Sequence, residues 1–246
     1  MKKRYRNPPL IEAVCEVHFD LPAPLTREQI AVMEPVWQPS LPNVRINEEK
    51  GLEVTVGLDG VQTKEQPTGY RLVARAADNS KIAQLSGYFL AVNQLKPYSG
   101  WTGGFRAHIE ERLKEVQAHL PIERVKQINL RYIDRLDFPE APLTWSEWFG
   151  FALPVPSTIP STGGNLQFHY EQNLPDGLVL ALHLVSVPPA GEGGTSAVMD
   201  CTIFWRGIAS LDECPALLDR VHEPHPQIFN DFLTSRSWEL FGAYEV

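Results

Sequence analysis

Between Pro9 and Leu21 the apolar residues Ile11, Ala13, Cys15, Val17, Phe19 and Leu21 alternate with Glu12, Glu16, His18 and Asp20. That period of two predicts a half-buried strand, broken only by Val14. Pro22-Ala23-Pro24 ends it, and Thr26 with Gln29 forms a capping-box signature for a helix reaching about Trp37. Strand patterns follow at Leu52–Leu58, Tyr70–Ala76 and Lys81–Leu95, divided by turn chemistry at Asp59-Gly60, Pro67-Thr68-Gly69 and Asp78-Asn79. Gly103-Gly104 then opens a helix that places Phe105, Ile109, Leu113, Val116 and Leu120 on one face and ends at Pro121.

The order then starts again. Val125 to Phe138 alternates Ile128, Leu130, Tyr132, Leu136 and Phe138 with Gln127, Asn129, Arg131 and Arg135. Asp137-Phe138-Pro139-Glu140-Ala141-Pro142-Leu143-Thr144 matches Asp20-Leu21-Pro22-Ala23-Pro24-Leu25-Thr26 after one inserted residue, and Thr144 with Glu147 repeats the capping box. A short helix with Trp145, Trp148 and Phe149, a Pro/Ser/Gly loop, strands at Asn165–Gln172, Leu178–Val187 and Ala197–Arg206, and a helical region from about Leu211 complete the chain. The expected fold class is α+β: two strand–helix–antiparallel meander–helix halves, 1–122 and 123–246, packed as one compact unit with a curved sheet and the helices on one face. This order resembles the duplicated saddle of TATA-binding-protein-like folds and the helix-grip architecture, an analogy of fold that carries no function.

With 43% hydrophobic and 21% charged residues, the 246-residue chain has the apolar content for a sizeable core. The basic start, Met1 to Arg6, leads into Glu12, Glu16 and Asp20 rather than an apolar run, so no export signal is expected. Apolar stretches such as Leu178–Val187 are too short to span a bilayer. Cys15, Cys201 and Cys214 lack metal or redox spacing and suit a reducing compartment, giving a cytoplasmic expectation. A net charge of −8 disfavours nucleic acid as a partner, leaving only the basic Lys2, Lys3, Arg4 and Arg6 with the strand arginines for that reading.

Motifs for chemistry are sparse. His222-Glu223-Pro224-His225 has its histidines three apart around a proline, which predicts a kinked surface segment rather than a metal helix. Gly100–Gly104 and Gly191–Gly194 lack the lysine and hydroxyl residue of a phosphate loop, and no G-x-S-x-G elbow occurs. No metal, cofactor or catalytic residue is assigned. The best constellation is the polar face of the two leading strands: Glu12, Glu16 and His18 from one half, Asn129, Arg131 and Arg135 from the other, extended by His169, His183 and Glu171. As a site, this face binds a small anionic ligand or a peptide through the arginines. As plain structure, it is a salt-bridge lattice that solvates an exposed sheet. Aromatics near Tyr88, Phe89, Tyr98, Trp101 and Phe105 add a candidate edge for self-association or docking.

At Pro8-Pro9-Leu10-Ile11-Glu12-Ala13-Val14-Cys15-Glu16-Val17, at Leu130-Arg131-Tyr132-Ile133-Asp134-Arg135 and at the late His222 to Phe229 segment, the chain resembles a sporadically distributed family of uncharacterised prokaryotic proteins. The resemblance spans nearly the full length and brings no activity with it. It implies Glu12, Glu16, Arg131, Asp134 and Arg135 as motif positions and, from the family's patchy distribution, a mobile or defence-associated setting. The resulting expectation is a non-catalytic interaction or ligand-sensing protein of a prokaryotic accessory system, with a protein partner or a second copy as its occupant. A hydrolase or nuclease-like enzyme is the alternative, and it requires His18, Glu16 and Arg131 or Arg135 to converge in a concave pocket. A nucleic-acid-binding module is the third reading.

Overall fold

The computed structural model describes residues 3–57, 60–151, 158 and 165–245, with the backbone alone for 52–57 and 60–67. The first elements are β1 (Lys3–Tyr5), β2 (Leu10–Phe19), α1 (Arg27–Ala31), α2 (Glu34–Trp37), β3 (Asn43–Gly57), β4 (Gly60–Arg75), β5 (Lys81–Ser86), β6 (Phe89–Leu95) and α3 (Arg106–His119). They are followed by β7 (Arg124–Phe138), α4 (Trp145–Trp148), β8 (Gln167–Asn173), β9 (Leu178–Val187), β10 (Thr195–Ser210), α5 (Cys214–His222), α6 (His225–Phe232), α7 (Ser235–Leu240) and β11 (Ala243–Glu245). Nine strands make one open antiparallel sheet of order β3-β4-β5-β6-β2-β7-β10-β9-β8, and β1 pairs with β11. The α+β class and the antiparallel meanders are therefore as the alternation predicts. None of the described helices is long and apolar enough to cross a membrane.

The chain divides into two compact units, one of Met1–Ala13, Asn129–Arg206 and Ala216–Val246, the other of Val14–Ile128 and Gly207–Pro215. In the second, the odd residues Cys15, Val17 and Phe19 of β2 are buried, as are Leu72 and Ala74, Ala83 and Leu85, Leu90 and Val92. Ile30 of α1, Met33 at the break, Trp37 of α2, Phe105 at the cap of α3 and Ile109, Leu113 and Val116 within α3 join them, the last four forming the helix stripe that the 3.6-residue period predicts. In the first unit the core-facing series are Leu130, Leu136 and Phe138 of β7, Ala197, Met199, Cys201 and Ile203 of β10, and Leu178, Leu180, Leu182 and Leu184 of β9.

Several boundaries differ from the sequence expectation for local reasons. The first helix breaks at Val32-Met33 into α1 and α2, with Pro35 seated in the first turn of α2, where its missing N–H costs nothing. The expected strand Lys81–Leu95 is two strands. Leu25 N donates to Gly87 O (2.9 Å), and a Cβ on Gly87 would lie 2.8 Å from Pro24 Cβ, so the turn is packed against the preceding loop. The strand expected from Leu52 begins at Asn43, because a polar edge strand carries little alternation. Leu58 and Asp59 and most of the expected Pro/Ser/Gly loop lie outside the described residues.

The capping boxes diverge. Thr26 N donates to Gln29 Oε1 (2.9 Å) and Gln29 N donates to Thr26 Oγ1 (3.3 Å), closing the first. At α4, Thr144 occupies the cap position without a side-chain hydrogen bond, and the Glu147 carboxylate that would close the box pairs with Arg236. An unforeseen box forms at Ser210, whose N–H and Oγ–H both donate to Glu213 (2.8 Å each).

Candidate functional site

On the helix-free side of the first unit, strand register assembles a row of side chains across four strands. Arg131 of β7 forms a two-pronged ion pair with Asp200 of β10, its Nε lying 2.8 Å from Asp200 Oδ1. Asp200 is the register partner of His183 on β9, and His183 is the register partner of His169 on β8. Directly opposed residues in antiparallel strands share a face, so Arg131, Asp200, His183 and His169 lie side by side. The two rings touch, with His169 Nδ1 2.8 Å from His183 Nε2, and both residues are exposed. Along the same face Arg135 donates to Asp137 Oδ1 (3.0 Å), Pro188 O (3.0 Å) and Ser196 Oγ (3.3 Å).

Of the expected residues in this unit, Arg131, Arg135, His169 and His183 thus share one surface. Asn129 shares their parity on β7 and is half-buried. Glu12 is half-buried near the start of β2. Asp200, which completes the row, was missed; it sits in a strand between Met199 and Cys201, and a single carboxylate in a strand signals nothing until register places it.

The second unit carries Glu16 and His18, whose side chains approach to 3.4 Å, with the His18 ring 5.4 Å from Phe89. Beside them a polar lattice spans β3 to β6. Arg71 pairs with Glu49 and donates to Gln84 Oε1 (3.5 Å), Ser86 Oγ donates to Glu49 (3.1 Å), and Gln84 donates to Asn93 Oδ1 (3.1 Å). Each of these residues is only partly exposed or buried, and each is hydrogen-bonded, which is how a sheet face tolerates polar groups. The groups an acid–base site would use, Glu16 and His18 against Arg131 and Arg135, belong to different units, and both arginines have acidic partners.

Asp134 is not on the open face. An even-numbered residue of β7, it shares the inward side with Leu130 and Leu136 and is 4% exposed. Burial, and then the charge of Asp200, push its carboxyl up to about 8. Tyr5 donates a short hydrogen bond to Asn230, and burial followed by Asp134 pushes its hydroxyl up to about 12. Tyr132 is edge-on to His225 (4.7 Å between centroids) and lies 3.2 Å from His222 Nδ1.

The His222 to His225 segment corrects the surface reading: the chain does kink between α5 and α6, yet His225 is 3% exposed. Its Nε2 lies 3.0 Å from Leu130 O, an acceptor only, so the proton sits on Nε2 and Nδ1 accepts from the Cys201 thiol (3.6 Å). Burial, and then His222, push His225 down to about 3. Cys201 is raised by burial and by Asp134 and Asp200. The pair is therefore a neutral thiol and a neutral imidazole, the reverse of the thiolate and imidazolium that a nucleophilic cysteine needs.

A cavity of about 600 Å³ lies in the first unit, lined by Pro142, Leu143, Trp145, Val187, Thr195 and Ser196 among others. Ser196 Oγ donates to Asp137, Thr195 Oγ1 donates to Glu140 O, and Ser186 Oγ accepts from Leu166 N. Among the described residues no group of three or more His, Cys, Asp or Glu side chains is arranged to hold a metal.

No family model matches the chain, and no curated protein matches it. Among solved structures it is similar to one described as KH domains, at 6% identity and a TM-score of 0.18, covering 81% of this chain. The chain spans 58% of that structure's length, and a likeness this weak carries no argument about fold or function.

Proposed function

We propose that this protein works by binding rather than by bond-making chemistry, as an interaction or ligand-sensing protein whose working surface is the open face of β7, β10, β9 and β8. The observation that carries the reading is the continuous Arg131, Asp200, His183 and His169 row, which ends in exposed imidazoles. The buried titratable groups supply the contrast, since desolvation holds Asp134, His225 and Cys201 in their uncharged forms. The occupant is a protein partner or a second copy of the chain, in a homodimer. A small anionic ligand is the second class, because a guanidinium presents a planar donor fork that matches carboxylate and phosphate.

The resemblance to a patchily distributed prokaryotic family sets this activity in a cytoplasmic accessory, defence-associated system. Internal duplication fits the same account: β2 lies beside β6, the last strand of its meander, as β7 lies beside β10.

Native mass spectrometry of the protein purified from its own host tests the reading. The wild type is expected to retain a companion chain, a second copy or a small molecule, and Arg131→Ala/His183→Ala, with an unchanged circular dichroism spectrum, is expected to lose it. A bare wild-type chain, or a companion kept equally by the variant, contradicts the proposal.

A further inference from the structure

We infer that His169 and His183 form a two-histidine site for a divalent transition metal of the zinc, nickel and copper class. The site goes beyond the binding role proposed above and stands or falls separately from it. It rests on geometry set by strand pairing. The two residues are exact register partners on β8 and β9, so their Cβ atoms leave the sheet on the same side and at the spacing of a cross-strand pair. Their ring centroids are 4.2 Å apart at an interplanar angle of 63°, and Nδ1 of His169 faces Nε2 of His183 across 2.8 Å.

Imidazole nitrogens bind such an ion at about 2.0–2.1 Å. Two of them on one ion, at angles between the square and tetrahedral values, are therefore about 2.9–3.4 Å apart. The observed separation falls short of that bite by a few tenths of an ångström, and binding also requires both rings to turn so that their lone pairs converge on one ion instead of facing each other.

The contact as it stands uses one N–H and one lone pair, since two lone pairs facing each other at this distance would repel. Moving the shared proton to the other nitrogen of its own ring leaves both facing nitrogens with free lone pairs. No proton leaves the protein, and the ion takes the place of the hydrogen bond. Both residues are exposed, so solvent reaches the site directly.

Glu171 stands two residues from His169 on the same face, while Asp200, the register partner of His183, already balances Arg131. The protein supplies two ligands, which leaves the remaining positions to water or to a donor atom brought by a bound molecule, as in zinc sites with open coordination. Imidazole selects zinc, copper and nickel over calcium and magnesium, which prefer oxygen.

The test is calorimetric titration of the chelator-treated chain with Zn²⁺ and Ni²⁺, and with Mg²⁺ as a control. The expected result is one equivalent bound for Zn²⁺ and Ni²⁺ and none for Mg²⁺. His169→Ala and His183→Ala are each expected to weaken the affinity roughly tenfold or more, whereas His119→Ala, at an exposed histidine in the other unit, leaves it unchanged. In the NMR spectrum, Ni²⁺ is expected to broaden the ring protons of these two histidines first. Affinity unchanged in both single variants, or broadening that begins at other histidines, overturns the site. Because this titration uses the purified chain alone, it fails or succeeds whether or not a companion molecule is found.

Discussion

Asp134 and His225 are buried in the same unit, and their protonation pulls stability in opposite directions with pH. The folded chain keeps a proton on Asp134 up to about 8, whereas an unfolded carboxyl gives it up near 3.8. Stability from this group therefore falls as pH rises through that window. His225 refuses a proton until about 3, although the unfolded imidazole accepts one at 6.5, so its contribution rises with pH between those values. His108, held down to about 4 by burial, adds to the histidine side. Below pH 6.5 the histidines outweigh the carboxyl, and above it Asp134 acts alone. Unfolding free energies from urea denaturation are expected to peak near pH 6.5 and to fall toward pH 8 with a slope of up to about 1.4 kcal/mol per pH unit. Asp134→Asn is expected to flatten that upper limb. A wild-type curve still rising between pH 6.5 and 8 contradicts the assignment. The motif containing Asp134 was legible in the sequence, but its face was not: grouped with the exposed Arg131 and the half-buried Arg135, it is separated from them by the parity of the strand. His225 was hidden by its prolines, which mark a break in the helix but say nothing about depth.

At the level of elements, the period-two and 3.6-residue patterns located β2, β7, β9, β10 and α3 because each buries one face completely enough to write its period into the sequence. Strands without that asymmetry escaped. Asn43 to Lys50 of β3 is half-buried or exposed throughout, and only its pairing with β4 makes it a strand. Caps show how far a local motif can be trusted. Thr26 and Thr144 close matching segments and hold the same cap position, but only Thr26 makes its side-chain hydrogen bonds, and the Glu147 carboxylate pairs with Arg236. Thr26→Ala is expected to cost about 1 kcal/mol, and Thr144→Ala less than half of that, in chemical denaturation. Equal losses contradict the difference in capping. The row of Arg131, Asp200, His183 and His169 belongs to this scale as well. Three of its members were singled out by residue type, yet their adjacency depends on the pairings of β7, β10, β9 and β8, which no local pattern encodes.

For the whole molecule, one nine-stranded sheet runs through the described residues, and the conspicuous charged residues fall in two compact units. A net charge of −8, with Lys3 of the basic start over the Trp238 ring and in register with Glu245, favours protein or small-molecule occupants over nucleic acid. The most direct test is an NMR titration of the chain with the companion molecule recovered by native purification, following the ring signals of its seven histidines. The account predicts that His169 and His183 shift while the buried His225 does not. Shifts at His18 or His119 with His169 and His183 unmoved would contradict it.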